Sequence, residues 1–194
     1  VVTEFISLDG VIEDPGGAED YEHSGWSFEF ERGDDGNKFK LDETLDSEAL
    51  LLGRVTFEGF ADAWPSREGE FADKFNNMPK YVVSSTIDGS QWNNSTVLEG
   101  DVADAVSKLK QELNGEIIVP ASFQLVRTLM EHDLVDELRL KIFPVVLGAG
   151  ERSDEQLQAD GARAGLVREV AAERHQLRRP CAPGDHVAVR DRSH

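Results

Sequence analysis

A chain of 194 residues is long enough for one full hydrophobic core and short for two ordinary domains. Its net charge of −18 works against nonspecific binding to nucleic acid or anionic lipid, which depends on clustered Lys and Arg. No run reaches the ~18 consecutive apolar residues of a spanning helix, so the expectation is no nucleic-acid and no membrane partner. A single cysteine, Cys181, excludes an internal disulfide and a multi-cysteine zinc site and fits a reducing cytosol. The apolar start at Val1 has no basic segment and no small-residue cleavage site, which predicts a cytoplasmic protein without a secretory signal.

Val1 to Leu8 alternates Thr3 and Ser7 with apolar neighbours and stops at the turn pair Asp9-Gly10, which predicts a first strand. The next forty residues read as a long loop. Asp14-Pro15-Gly16-Gly17 and Arg32-Gly33-Asp34-Asp35-Gly36 are turn-rich, and Trp26, Phe28 and Phe30 alternate between them. Lys38 to Leu45 predicts a short helix, and the apolar run from Ala49 to Gly53 predicts a buried parallel strand. Val55, Phe57, Phe60 and Trp64 then recur at helical spacing until Pro65 stops them.

Lys80 to Ser84 is the next strand, closed by the hydroxyls of Ser84, Ser85 and Thr86. Val102 to Leu113 is an amphipathic helix, Glu116 to Val119 a further buried strand, and Ser122 an N-cap for a helix through Met130. Glu137 to Val146 alternates Leu138, Leu140 and Ile142 before the turn at Gly148-Ala149-Gly150.

Beyond that turn the composition changes. All fifteen aromatic residues lie at or before Phe143 and all seven lysines at or before Lys141, while the last 44 residues carry eight arginines. Residues 1–150 therefore read as one domain and 151–194 as an atypical, poorly packed or partly disordered tail, with a short helix over Ala162 to Leu177 as a secondary expectation.

Strand followed by helix, repeated, predicts an α/β fold in three layers, a mainly parallel sheet flanked by helices. Ligands of such sheets bind outside the carboxyl ends of the strands. Three of those ends carry small or hydroxylic residues: Gly53 to Thr56, Ser84 to Thr86 and Pro120 to Ser122. A helix that starts directly after a buried strand aims free N–H groups and the positive end of its dipole at that edge, where phosphate is stabilised. Arg54 adds a cation and Thr56 a hydroxyl. Each signal alone is ordinary local structure; three at one sheet edge point to a dinucleotide.

The segments Ser7-Leu8-Asp9-Gly10-Val11, Leu51-Leu52-Gly53-Arg54-Val55-Thr56-Phe57-Glu58, Lys80-Tyr81-Val82-Val83-Ser84-Ser85-Thr86, and Leu134 to Leu140 through Pro144 to Gly150 occur in one order. Together they resemble the dihydrofolate-reductase-like family over roughly residues 1–150. The closest branch resembles the reductase domain of the bifunctional riboflavin-biosynthesis deaminase/reductase. The resemblance implies NADPH as cofactor, a homodimer, and hydride transfer to a small heterocyclic, pterin- or pyrimidine-like substrate. It further implies that Gly53, Arg54, Val55 and Thr56 bind cofactor phosphates, and that Ser84, Ser85 and Thr86 contact the adenosine ribose and its extra phosphate. By the same resemblance Ala121, Ser122, Phe123, Gln124 and Leu125 lie by the pyrophosphate, and Asp9 sits near nicotinamide and substrate as the first choice of proton donor.

Two departures stand out. The family usually has a glycine pair where this chain has Pro120-Ala121 and Phe123, and glycine there permits close backbone approach. Its members also continue past the Gly148-Ala149-Gly150 turn into an apolar stretch and two further strands, which Glu151 to His194 does not resemble; the closing strands are then expected to be missing and the sheet to end on an open edge. Other acids competing for the proton-donor role are Asp34, Asp35, Asp42 and Glu58. Trp26, Phe28 and Phe30 could stack on a flat heterocycle, although at this spacing packing is the commoner use. The alternative function is a non-catalytic nucleotide-binding or scaffold protein that keeps the fold.

Overall fold

Leu50, Leu51 and Leu52 set the layering. Successive side chains of a strand point to opposite faces, and each of these three is almost wholly buried, so both faces of their strand must be covered. Leu51 packs with Val106, Leu125, Val126 and Leu129 in one apolar cluster, while Leu50 and Leu52 pack with Phe57, Phe75, Met78 and Trp92 in another. The computed structural model describes residues 1–87, 91–152 and 167–171. In it a parallel sheet lies between these two clusters, the three-layer α/β arrangement expected from the repeating pattern.

The elements in chain order are β1 (Val2–Ser7), a 3-10 turn (Trp26–Glu29), α1 (Gly33–Asp46), β2 (Ser47–Gly53), α2 (Arg54–Ala63), α3 (Glu70–Asn77), β3 (Lys80–Val83) and β4 (Ser95–Leu98). They continue with α4 (Val102–Glu112), β5 (Glu116–Pro120), α5 (Phe123–Glu131), β6 (Leu138–Phe143) and β7 (Val167–Ala171). The sheet order is β4-β3-β2-β5-β1-β6-β7, and every pairing is parallel. A parallel ladder needs a crossover between neighbours; helices lie on the connections from β1 to β2, β2 to β3, β4 to β5 and β5 to β6, whereas β3 and β4 are joined with no helix among the described residues.

Three expectations need correction. The turn read at Gly33 to Gly36 is the opening of α1, where Asp34 and Asp35 favour the positive end of the helix dipole. The stretch of Trp26, Phe28 and Phe30, read as part of one long loop, contains a 3-10 turn followed by an extended residue. Trp26 and Phe30 lie edge-on to Phe143, and the Trp26 indole donates to the Glu13 carbonyl at 2.8 Å, so these two rings serve packing. The third correction is at the sheet edge. β6 is not its end, because Val167–Ala171 pairs with it in register from Leu138 to Ile142. This segment had been read as part of a helix; a parallel partner satisfies a ladder of backbone groups that a helix on that edge would leave open. The rest of the Ala162 to Leu177 stretch, and Cys181, lie outside the described residues.

Two buried lysines pin the sheet to its surroundings. Lys80 at the start of β3 donates to the carbonyls of Asn76, Met78 and Asn93 and lies 4.4 Å from the Trp92 ring centre; burial lowers it to about 8. Lys141 in β6 reaches the Thr3 hydroxyl and both Glu43 oxygens at 3.2 Å, fixing α1 against β1 and β6. Burial and the neighbouring Lys40 bring Lys141 down to about 7 against the opposing pull of Glu43.

Candidate functional site: a cleft where two central strands part

β1 pairs with β6 along all of Val2 to Ser7 but with β5 only at Val2 and Thr3. From Thr3 and Pro120 onward the two neighbours separate. The strand order reverses at the same place: β2, β3 and β4 are laid out on one side of β1, and β6 and β7 on the other. Such a switch point opens a crevice at the carboxyl ends of the strands. A cavity of about 800 Å³ occupies it, within the usual size of a small-molecule or cofactor site.

The structure brings all three strand ends to this one cavity. Gly53, Arg54, Val55 and Thr56, then Ser84, Ser85 and Thr86, then Ala121, Ser122, Phe123, Gln124 and Leu125 all line it. Both α2 and α5 begin at its wall, and neither has its first N–H groups capped by a side chain. Ser122 occupies the N-cap position of α5, but its hydroxyl turns elsewhere. It accepts from the Gly53 N–H at 3.0 Å and donates to the Thr56 hydroxyl at 2.9 Å, tying one helix start to the other. Two uncapped N-termini converging on one concave site form a donor set for phosphate oxygens.

The glycine pair missing from this turn has a structural answer. Ala121 and Ser122 adopt left-handed backbone at φ 52° and 64°, the conformation that glycine would supply freely. The turn keeps its geometry at a steric cost of roughly 1–2 kcal/mol per residue. Arg54 differs from the expectation of a free cation: its guanidinium donates to Glu58 at 2.8 Å, with both side chains about half exposed. Ser84 and Thr86 form a small exposed hydroxyl turn, the Thr86 N–H donating to Ser84 at 3.1 Å.

Asp9 does not line this cavity. Its carboxylate accepts from the Ser7 hydroxyl at 2.7 Å and from the backbone N–H groups of Leu147 and Gly148 at 3.1 and 2.8 Å, and Arg152 lies 3.4 Å away. Partial desolvation pulls the carboxyl up, but these hydrogen bonds win and hold it at about 2. An acid so placed is ionised at neutral pH and fully engaged, which fits a latch between the end of β1 and the segment after β6. Backbone bonds from Leu8 to Val145 and from Ile12 to Glu151 continue the same seam. Gly150 completes it, since a Cβ there would meet Tyr21 and Val11 within 3 Å.

Asp34 and Asp35 open α1, Asp42 pairs with Lys38, and Glu58 pairs with Arg54; none of the four lines the cavity. The acids that do are Glu4, Asp14 and Glu19. Glu4 is the residue the sequence reading passed over, although an acid in the middle of the apolar run Val1 to Ile6 is itself a signal. The residue is 8% exposed, and burial pushes its carboxyl up to about 8 against the pull of Lys141 and Lys40. Among the described residues no group of three His, Cys, Asp or Glu is placed to hold a metal ion, and no helix is long and apolar enough to cross a membrane.

Residues 1–173 match the model of the RibD C-terminal domain family. This chain belongs to that family, the reductase domain of the riboflavin-biosynthesis deaminase/reductase. The match runs past residue 150 and through β7, so the family likeness extends further than the first 150 residues. Among curated relatives, the Bacillus subtilis protein YwjB, described as uncharacterized, is 29% identical over 145 residues, covering 75% of this chain and 76% of its own. A second uncharacterized Bacillus subtilis protein, YyaP, is 30% identical over 109 residues, 54% of this chain and 57% of its own. A crystal structure of a Shewanella sp. PV-4 protein, assigned provisionally to riboflavin biosynthesis, superposes with a TM-score of 0.57 over 78% of this chain and 80% of that one. At 20% identity that likeness supports the fold.

Proposed function

We propose that the chain is an NADPH-dependent reductase that transfers a hydride to a small heterocyclic, pterin- or pyrimidine-like substrate, working as a cytoplasmic homodimer. The observation that carries this reading is the convergence of the uncapped starts of α2 and α5 on one cleft at the point where β1 and β5 part. The residues present fit a dinucleotide. Gly53 to Thr56 and Ala121 to Leu125 would hold the phosphates, and Ser84, Ser85 and Thr86 would face the adenosine ribose.

When bound, a reduced nicotinamide supplies the hydride. The chain's own task is to orient the two rings, exclude water and provide a proton. Phe60, Trp64 and Phe123 give the cleft apolar walls, and Ser122 keeps both helix starts in register. Isothermal titration with NADPH and with NADH tests the reading directly. Saturable binding of NADPH, followed by its oxidation with at least one of a panel of pterins, pyrimidines and small carbonyls, is expected. Absence of binding at millimolar cofactor sinks the proposal, and binding without oxidation across the panel transfers the chain to the non-catalytic nucleotide-binding class.

A further inference from the structure

Glu4 is the first residue of β1 past the point where β1 and β5 separate, and it lines the cleft that opens there. By strand alternation it points to the same face as Val2, toward α4 and α5, whereas its neighbour Thr3 points to Lys141 and Glu43 on the other face. The polar groups on that other face satisfy one another. Glu4 does not share in their network: its Oε1 is buried with no hydrogen-bond partner, a condition it shares only with the Ser95 hydroxyl among the described residues. A buried polar atom left unpaired costs about 1–3 kcal/mol, and one that lines a cleft can be completed from the cleft side by water or by a ligand.

The charges around it narrow the ligand. The β1 side of the cleft carries Glu4, Asp14 and Glu19 and no Lys or Arg among its described lining residues, while Arg54 and Arg67 lie on the α2 side. Lys141 of β6 and Lys40 of α1 reach Glu4 only through their field and offset a part of its desolvation. A ring bearing a phosphate or carboxylate at this end would meet acids with no counter-charge. An uncharged ring with a hydrogen-bond acceptor would meet a donor.

We propose that Glu4, as an uncharged carboxylic acid, receives the substrate: its O–H donates a hydrogen bond to a carbonyl oxygen or imine nitrogen of an uncharged ring and passes that proton on as the adjacent carbon is reduced. The inference deepens the reductase reading and rests on it for the second half. For a C=N group, carbon gains a hydride from a reduced nicotinamide, nitrogen gains the Glu4 proton, and the product is CH–NH. The nicotinamide is oxidised, and the Glu4 carboxylate recovers a proton from water.

The test needs no cofactor. In protein labelled with carboxyl carbon-13 glutamate, the Glu4 signal is assigned by its loss in Glu4→Gln and titrated by NMR, alone and with 3-methylpyrimidin-4-one, which has no ionisable N–H, as the probe ring. Glu4 should titrate near pH 8, and the probe should shift its signal saturably. Its affinity should fall about tenfold on going from about pH 7 to about pH 9.5, and equally in Glu4→Leu, while Glu4→Gln, which keeps an N–H donor, retains it. Titration in the ordinary carboxylate range overturns the proposal, as does pH-independent binding or equal affinity for the anionic pyrimidine orotate. For a ring that the oxidation assay shows to be reduced, Glu4→Gln should keep KM and lose about a hundredfold in kcat; an unchanged kcat removes the proton-donor role. Failure to bind NADPH would refute the reductase reading while leaving the Glu4 titration and probe binding to be judged separately.

Discussion

Replacing Asp9 by Asn separates a latch from a catalytic acid. The carboxylate holds three short donors, the Ser7 hydroxyl and the N–H groups of Leu147 and Gly148. Asn keeps one acceptor oxygen and turns an amide toward groups that are themselves donors, so at least one backbone N–H loses its partner. The drop of the carboxyl from 3.8 to about 2 would be worth about 2 kcal/mol in full, and its 17% side-chain exposure reduces that to roughly 1–2 kcal/mol. Loss of partner for an N–H group adds roughly 1 kcal/mol. The expected total is about 2–3 kcal/mol at neutral pH, or a fall in Tm of about 4–12 °C for a chain of this size.

The sign with pH follows from the depressed value. An acid stabilised in its ionised form contributes fully above its unfolded pKa of 3.8 and loses that contribution as pH falls toward 2. The gap between Asp9→Asn and the parent protein should therefore be constant above about pH 5 and close progressively below about pH 4. Urea unfolding followed by tryptophan fluorescence measures it, since Trp26 is buried beside this seam. NADPH affinity should be unchanged. Equal stability of the two proteins, combined with a large loss of turnover in the variant, would refute the latch and return Asp9 to the chemistry.

Ala121→Gly should stabilise the protein, because glycine adopts the left-handed conformation without the Cβ clash; against a gain of roughly 1–2 kcal/mol stands the greater freedom of unfolded glycine, leaving about 0.5–1 kcal/mol in thermal or urea unfolding. A destabilised variant would show that the alanine methyl packs in a way that outweighs its strain. Glu43→Gln should cost about 1–3 kcal/mol at neutral pH, because it takes the carboxylate from Lys141 and Lys40, while Lys141 escapes the full charge penalty by giving up its proton. Glu43 is one of the groups that hold the Lys141 pKa up, so its removal lowers the folded value further below about 7; the deficit should be largest in acid, shrink as pH rises to about 7 and stay level above it, where folded Lys141 is neutral in both proteins, and a deficit that grows with pH contradicts the assignment.

The periodic parts of this fold were legible in the sequence. Ala49 to Gly53, Val102 to Leu113, Glu116 to Val119 and Phe123 to Met130 carry their apolar residues at spacings that the sheet and its helices reproduce within a residue or two. The three polar strand ends were legible only together: each glycine or hydroxyl is ordinary local structure by itself, and it is their recurrence at three strand ends that points to a ligand. Ser95–Leu98 and Glu70–Asn77 went unread. The first is four residues at an edge, half polar, with no alternation to find. The second did carry Phe71, Phe75 and Met78 at helical spacing, a signal shorter than three turns.

What the sequence by itself determined, then, is that buried strands alternate with helices and that three of their ends carry small or hydroxylic residues, because local spacing fixes which residues share a face. Which carboxyl faces the cleft was beyond it. Asp9 and Glu4 lie five residues apart on one segment, and their roles are set by partners far away in sequence. The N–H groups of residues 147 and 148 claim Asp9. Glu4 is turned into the cleft by the parting of β1 from β5, which leaves it buried and without a partner for Oε1. Burial and hydrogen bonding decide the charge on an acid, and both are properties of the packed chain.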